Sequence, residues 1–451
     1  MAVFELVLAL LLGGIGLTLL APRLGVPWPA LLALAGAALA FVPGAPEVAL
    51  DPQLVLALFV APVLLDAAFD ASPRDLRDNW APVGGLVLGA VSLTVAVVAA
   101  VACWLEPSLP WAAAIALGAI VAPPDAAAAT AVLRQVRLPH RIMVILEGES
   151  LLNDASALLI YRLAVGAVAG GMTAWTAPLL ALAAIGGVAL GIVLARAYLA
   201  LMARVEDGAP SVVLQFLGTF GVWLLAEALQ LSAVLTVVAY AVTLARLAPG
   251  RTGARQRRES YAVWDVAVFV LNVLAFVLVG LQFRSILARL DGQAGRYAAF
   301  AAAVLGTAIL VRVAWVMGYY AAARWKDRRF GAHPRRPMPP PTVQGGIVVS
   351  WCGMRGIVTL AAALALPGGF PARDLIVFAS FCVVLGTLVL QGLTLRPLLS
   401  RLALPRDKSV EEEVALARAE AARAALDALA AADADAGRYG EARHLLEREY
   451  R

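Results

Sequence analysis

Charged residues, histidines and cysteines are all scarce in this chain of 451 residues. Asp, Glu, Lys and Arg make up only 15% of it, against about 25% in an ordinary soluble domain. This shortage excludes a soluble enzyme, a disordered protein and a nucleic-acid-binding protein. Cys103, Cys352 and Cys382 are an odd, scattered set, so neither a disulfide framework nor a CxxC metal site is predicted.

Hydrophobic residues are abundant instead, at 62% of the chain with a mean hydropathy of +0.83. A membrane span needs about 20 mostly apolar residues. The sequence therefore predicts an all-α polytopic membrane protein with about 13 transmembrane helices. These lie roughly at 2–20, 26–42, 53–70, 82–105, 110–132, 142–169, 174–203, 211–229, 232–247, 262–283, 297–322, 343–366 and 374–398.

The basic residues in the predicted loops indicate how the chain is oriented. Alternate loops carry 20 Lys and Arg residues, and the remaining loops carry 4. Because basic loops stay in the cytoplasm, we expect the N-terminus outside the cell membrane and the C-terminus in the cytoplasm. Membrane topology and contact with lipid thus account for the net positive charge, so this charge does not indicate a nucleic-acid partner. Residues 1–403 are predicted to form a transmembrane domain, and 404–451 a cytoplasmic helical tail.

The tail is rich in Ala, Glu and Arg, and predicts a helix, a break at 436–438 and a second helix. Two interpretations stay open for it. It is either a solvated segment with little fixed structure or a regulatory or dimer-contacting element. The proline-rich residues 335–341 before the last spans predict a stiff cytoplasmic linker.

Five charged residues fall deep inside five different spans. They are Asp66, Asp125, Asp154, Arg312 and Arg355, each about 12 to 15 residues from the start of its span or the adjoining loop, which at about 1.5 Å per residue is near mid-bilayer. Ionisable groups are costly in hydrocarbon and usually mark an ion or proton path. Acids and arginines together predict a charge-balanced cation site.

The span at 142–169 concentrates polar side chains. Ser150 and Asp154 are four residues apart and share a helix face that offers oxygen ligands for a hard monovalent cation. Glu149 and Asn153 share the neighbouring face in the same way. A buried Glu149 needs a cationic partner, and Arg312 and Arg355 both remain possible.

Two spans are predicted to be interrupted. Pro123 and Pro124 stand in the middle of 110–132, where adjacent prolines stop a helix. The segment 352–356, with two glycines, interrupts 343–366 in a matching place seven spans later. Broken helices in corresponding places of two halves are typical of transporters with inverted repeats and a midplane site. We therefore expect inverted repeats whose two broken helices cross near the bilayer midplane.

Several motifs resemble one known family. Residues 147–154 (EGESLLND) resemble, almost letter for letter, a signature of the monovalent cation/proton antiporters of the NhaP/NHE type, the cation:proton antiporter 1 family. Supporting similarities lie at 351–356 (WCGMRG), at 271–276 (LNVLAF) before Gly280, and around Arg312 (VRV). For Asn272 in the second of these, a site-supporting role and a plain helix–helix hydrogen bond are equally open.

The resemblance implies an ion- and proton-binding set. Asp154 is the carboxylate that alternately binds the cation and the proton, and Asp125 and Ser150 complete the monovalent-cation site. Asp66 falls where the family usually has a longer glutamate. Pro124 replaces the family's threonine, so only its backbone carbonyl can be a ligand. Both departures bear on ion selectivity more than on the exchange mechanism.

The resemblance also implies supporting residues. Glu149 pairs with Arg312 to hold the core, Arg355 stabilises the second broken helix, and Asn153 marks the Asn-Asp pair of electroneutral exchangers. The implied function is exchange of Na⁺, or of Li⁺ or K⁺, for H⁺ in pH and cation homeostasis, by a homodimer without a cofactor.

Two other functions are compatible with a polytopic membrane protein. A cation channel or a proton-coupled symporter remains the alternative, although neither explains the paired breaks as well. An intramembrane enzyme is disfavoured, because the three histidines fall in predicted loops or the tail and leave no Ser–His pair at membrane depth.

Overall fold

The computed structural model describes residues 2–43, 51–70, 72–125, 128–129, 133, 138–170, 176–205, 209–248, 254–289, 294–330, 342–402, 404 and 407–431. Within these ranges the chain forms helices and connectors, and no β-strand. The chain divides into two compact units. One comprises 1–136 and 141–403, and the other 137–140 and 404–451.

The first half of the chain contributes these helices: α1 Ala2–Leu24, α2 Trp28–Leu39, α3 Pro52–Val55, α4 Ala61–Asp70, α5 Pro73–Asp78, α6 Trp80–Gly84, α7 Val91–Leu105, α8 Trp111–Val121, α9 His140–Val168 and α10 Thr176–Met202. Two π-helical segments join four of these helices into two longer continuous ones. Leu56–Val60 joins α3 to α4, and Gly85–Ala90 joins α6 to α7.

The second half contributes α11 Ala209–Ala228, α12 Ala233–Leu247, α13 Ala254–Leu281, α14 Phe283–Leu287, α15 Ala294–Phe330, α16 Val343–Trp351, α17 Ile357–Leu364, α18 Arg373–Arg401 and α19 Ser409–Ala431. α19 falls within the predicted tail. The predicted second tail helix, the linker 335–341 and the far half of the span at 110–132 lie largely or wholly outside the described residues.

The all-helical prediction is confirmed. In the described part of the chain, 8 helices are long and apolar enough to cross a membrane. Shorter apolar helices lie at Trp28–Leu39, Gln53–Phe69, Trp111–Val121 and Ala233–Leu247. The count of thirteen spans stays a prediction.

Local chemistry explains where the helices begin and end. The Ser232 hydroxyl accepts a hydrogen bond from the Leu235 N–H at the start of α12 (3.5 Å). Thr342 caps α16 in the same way, through the Gly345 N–H (3.1 Å). Such caps satisfy amides that have no partner within the helix. α8 ends at Val121 because the two prolines that follow cannot continue its hydrogen-bond ladder.

The distribution of polarity is the reverse of that in a soluble protein. Large apolar side chains such as Leu12, Leu19 and Trp104 are among the most exposed, whereas the charged Glu149 and Arg355 are buried. An outer surface of this kind suits hydrocarbon lipid. The core therefore holds the groups that lipid cannot solvate.

Small residues allow two of the helices to approach closely. On α2, a Cβ added to Gly36 would collide with the carbonyl of Val277 on α13. On α13, a Cβ added to Gly280 would collide with the carbonyl of Ala33. Because apolar burial drives little association within lipid, such backbone-to-backbone packing is a principal source of helix cohesion.

The two predicted interruptions are present. α8 stops at Val121, and Cys352–Gly356 separates α16 from α17 without helical structure. The two interruptions lie against each other, and α17 packs on α8. The two predicted interruptions therefore meet, as expected for broken helices that cross, and the half of the first helix beyond Asp125 lies largely outside the described residues.

Candidate functional site: a carboxylate cavity at the helix crossing

The two interruptions are joined by hydrogen bonds in both directions. The Asp125 N–H donates to the carbonyl of Met354 (2.6 Å), and the Arg355 Nε donates to the carbonyl of Val121 (2.9 Å). Backbone groups left free where each helix stops thus find partners on the other helix, as irregular backbone at membrane depth requires. Gly356 is necessary here, since a Cβ at this position would overlap the Asp125 carboxylate.

Arg355 is fully buried and holds the second interruption in place through hydrogen bonds. Besides Val121, its guanidinium donates to the carbonyl of Gly353, and its backbone N–H donates to the Thr387 hydroxyl on α18 (3.0 Å). The side chain therefore satisfies carbonyls of both broken helices.

Glu149 on α9 pairs with Arg312 on α15. Both side chains are buried, and the contact is two-pronged, with Nη2 donating to Oε2 at 2.8 Å and Nη1 donating to Oε1. Arg312 also donates to the carbonyl of Val349 on α16 (3.1 Å), and Asn153 donates to Glu149 (3.2 Å). Of the two arginines that the sequence leaves open, the structure pairs Arg312 with Glu149. The pair ties α9, α15 and α16 together.

Asp154 lines a cavity of about 50 Å³ beside the crossing. A buried water needs roughly 10–15 Å³ measured in this way, so the cavity has room for a few waters or a small ion. Its polar lining includes Asp125, Ser150 and Asp154, and Pro124 of the first interruption also borders it. Two carboxylates, a hydroxyl and nearby carbonyls form the oxygen-rich set that a hard cation prefers.

Apolar walls surround this polar patch, including Phe59, Leu64 and Phe276. They keep the carboxylates out of bulk water. In such surroundings a bare negative charge is costly, and a bound proton or cation removes that cost. The cavity can therefore hold either occupant on the same carboxylate.

The expected convergence of five charged residues on one cavity is not observed. Asp125 and Asp154 line this cavity, but Arg312, Arg355 and Asp66 do not. Asp66 lines a second cavity of about 70 Å³, together with Tyr198 and Arg257. α4 lies between the two cavities: Leu64 borders the one with Asp154, and Leu65 borders the one with Asp66. The role of Asp66 as an ion-binding residue stays a prediction.

Two further polar residues line the Asp154 cavity. Thr359, in the first turn of α17, was not singled out from the sequence, although its place three residues after Gly356 is a usable signal. Asn272 on α13 also borders the cavity, which favours a site-supporting role over a remote helix–helix bond.

Crossed broken helices beside a buried carboxylate cavity define the class of secondary transporters. The chain belongs to the sodium/hydrogen exchanger family, because the model of its transmembrane region, "Sodium/hydrogen exchanger, transmembrane", matches residues 7–401. The family resemblance drawn from the motifs is therefore confirmed.

Individual relatives agree with this assignment. The chain is 33% identical over 447 residues to a protein of Mycobacterium tuberculosis described as an uncharacterized Na⁺/H⁺ exchanger, covering 96% of this chain and 81% of that one. It is 32% identical to a sodium, potassium, lithium and rubidium/H⁺ antiporter of Bacillus pumilus, covering 85% of this chain and 59% of the relative.

Among solved structures, the fold is similar to that of the sodium proton antiporter MjNhaP1 from Methanocaldococcus jannaschii. The TM-score is 0.65 at 18% identity, and the match covers 88% of this chain and 98% of that chain. A likeness at this identity concerns the fold. The inverted arrangement of broken helices predicted from the sequence is consistent with it.

Proposed function

We propose that this protein exchanges a monovalent cation for a proton across the cell membrane, with Asp154 as the shared binding group. The observation that carries the proposal is the cavity at the helix crossing, where Asp154, Asp125 and Ser150 face one small, apolar-walled space. The transported ions are the substrates, Na⁺ with Li⁺ or K⁺ as the other candidates. No cofactor takes part.

The coupling follows from charge balance. A loaded Asp154 carries either a proton or a cation, and each removes the penalty for moving a bare carboxylate through a dry region. The empty, charged site is held on one side of the membrane. Exchange then needs neither ATP nor a second energy source.

The test is proton flux in proteoliposomes, measured with a pH-sensitive dye after a Na⁺, K⁺ or Li⁺ gradient is imposed. We expect Asp154→Asn to abolish cation-driven flux at normal expression. Asp374→Asn is a matched control, because Asp374 lies at the exposed start of α18 in a loose pair with Arg289 (3.8 Å). Persistent flux in Asp154→Asn rejects the assignment of this carboxylate.

We propose electroneutral exchange, one cation for one proton. The support is Asn153, which stands beside Asp154 and donates to Glu149 instead of adding a second titrating carboxylate. Valinomycin-clamped vesicles decide the point, since an electroneutral exchanger generates no current. A steady current excludes electroneutral exchange, current that persists without a proton gradient or counter-flow identifies a channel, and co-directional movement of cation and proton identifies a symporter.

Orientation and assembly complete the proposal. The excess of basic residues in alternate loops supports an external N-terminus and a cytoplasmic tail from 404 onwards. Labelling of single cysteines with an impermeant reagent in intact cells tests both termini. A homodimer is proposed from the family resemblance, and cross-linking in membranes tests it.

A further inference from the structure

One face of α18 carries three polar side chains towards the second interruption. Thr387, Gln391 and Thr394 are spaced four and three residues apart, which places them on the same side of a helix. None of the three belongs to the carboxylate cavity.

The two outer members of this row are bonded to the two ends of the interruption. Thr387 accepts the backbone N–H of Arg355 (3.0 Å) and donates to the carbonyl of Val383 (2.8 Å). Thr394 accepts the indole N–H of Trp351 (2.9 Å). α18 therefore runs antiparallel to the interruption. Thr387 lies at the Arg355 end of the interruption, and Thr394 lies at the Trp351 end.

Gln391 stands between these two anchors. This spacing places it level with the stretch from Cys352 to Met354. A Cβ added to its neighbour Gly392 would lie 3.2 Å from Cγ of Pro27, just before α2, and 3.7 Å from the Met354 sulfur. Gln391 is fully buried, yet within the described part of the chain neither its amide nitrogen nor its amide oxygen has a hydrogen-bond partner. A buried amide without partners costs free energy that an apolar side chain of the same size avoids.

We infer that Gln391 is a positioning residue for exchange, whose amide bonds the peptide groups of 352–354 in the alternate conformation of the transport cycle. A group that is unpaired in one conformation and paired in another shifts the balance between the two. Gln391 thus raises the energy of the conformation described here and favours departure from it. The inference rests on the proposed function, since only a transporter that alternates needs such a residue.

The experiment uses Gln391→Met, which keeps the length of the side chain and removes both polar atoms. We expect an unchanged or higher melting temperature in detergent, because no existing hydrogen bond is lost. We expect cation-driven proton flux to fall by about tenfold or more, with little change in the apparent cation affinity. Leu390→Met, at an exposed position of the same helix, is the matched control and keeps full flux.

The chain supplies its own conformational probe in Cys352, which is buried in the interruption. In a Cys103→Ser, Cys382→Ser background, the rate at which a permeant maleimide labels Cys352 should depend on cation and pH. Gln391→Met should abolish that dependence. Thr387→Val, which removes a bond present in this structure, should instead lower the melting temperature together with flux.

The inference is overturned if Gln391→Met leaves both flux and Cys352 labelling unchanged. It is also overturned if the melting temperature falls, because Gln391 is then an ordinary structural residue. If the unsubstituted protein carries no cation-driven flux, the proposed function fails and this inference fails with it. If the unsubstituted protein carries flux and Gln391→Met carries the same flux, the inference alone fails.

Discussion

The buried pair between Glu149 and Arg312 permits a quantitative test of what holds the site together. Arg312→Met removes the two-pronged contact with Glu149 and the bond to the Val349 carbonyl, leaving the Glu149 carboxylate with the Asn153 amide. Removing one partner of a buried pair costs about 3–5 kcal/mol, because the other charge is stranded in a medium that solvates it poorly.

Thermal unfolding in detergent, followed by size-exclusion chromatography of the heated sample, measures the loss. Glu149→Met combined with Arg312→Met strands no charge, so the double variant should recover much of the stability that the single variant loses. Arg289→Met is the control, because Arg289 is exposed and its pair with Asp374 is loose; exposed pairs contribute about 0–1 kcal/mol.

An Arg312→Met variant as stable as the unsubstituted protein would contradict a stranded Glu149 charge. A double variant no more stable than the single one would contradict it equally, because the loss would then come from packing and not from the stranded carboxylate.

Two other predictions concern the cavity. Gly356→Ala should abolish exchange in the proteoliposome assay, because the alanine Cβ overlaps the Asp125 carboxylate. Gly306→Ala is the control and should keep full exchange, because no atom lies within 4 Å of the added Cβ. Equal flux in the two variants would contradict the close packing of Gly356 against Asp125. As pH falls, the proton should displace the cation from Asp154, so the apparent cation affinity weakens by up to about tenfold per pH unit where the protonated form predominates. Initial rates over a range of cation concentrations at several pH values measure this, and an affinity independent of pH excludes a shared site.

Local rules were sufficient for the two interruptions. A proline pair that would fall in the interior of a helix interrupts its hydrogen-bond ladder, so the end of α8 at Val121 follows from Pro123 and Pro124. The face shared by Ser150 and Asp154 follows in the same way from helical periodicity, and both residues line one cavity.

Long-range pairing lay beyond those rules. The depth of a residue along a span can be counted from the sequence. By that count Arg312 and Arg355 lie at similar depths, so both were possible partners of Glu149. The direction that each span faces depends on tertiary packing, which put Arg312 beside Glu149 and Arg355 between the two interruptions. Counting depth likewise placed Asp66 level with Asp154 but left open on which side of α4 it lies.

The reciprocal bonding of the two interruptions limits how the cavity can be opened to either side. The Asp125 amide holds Met354, and the Arg355 guanidinium holds Val121, so neither broken helix can slide alone without leaving a polar group bare in an apolar interior. The Glu149–Arg312 link binds α9 and α15 to the same block. The displacement that carries the bound ion across is therefore a rigid-body movement of all of these helices together. The interfaces that slide lie between this group of helices and the rest of the protein.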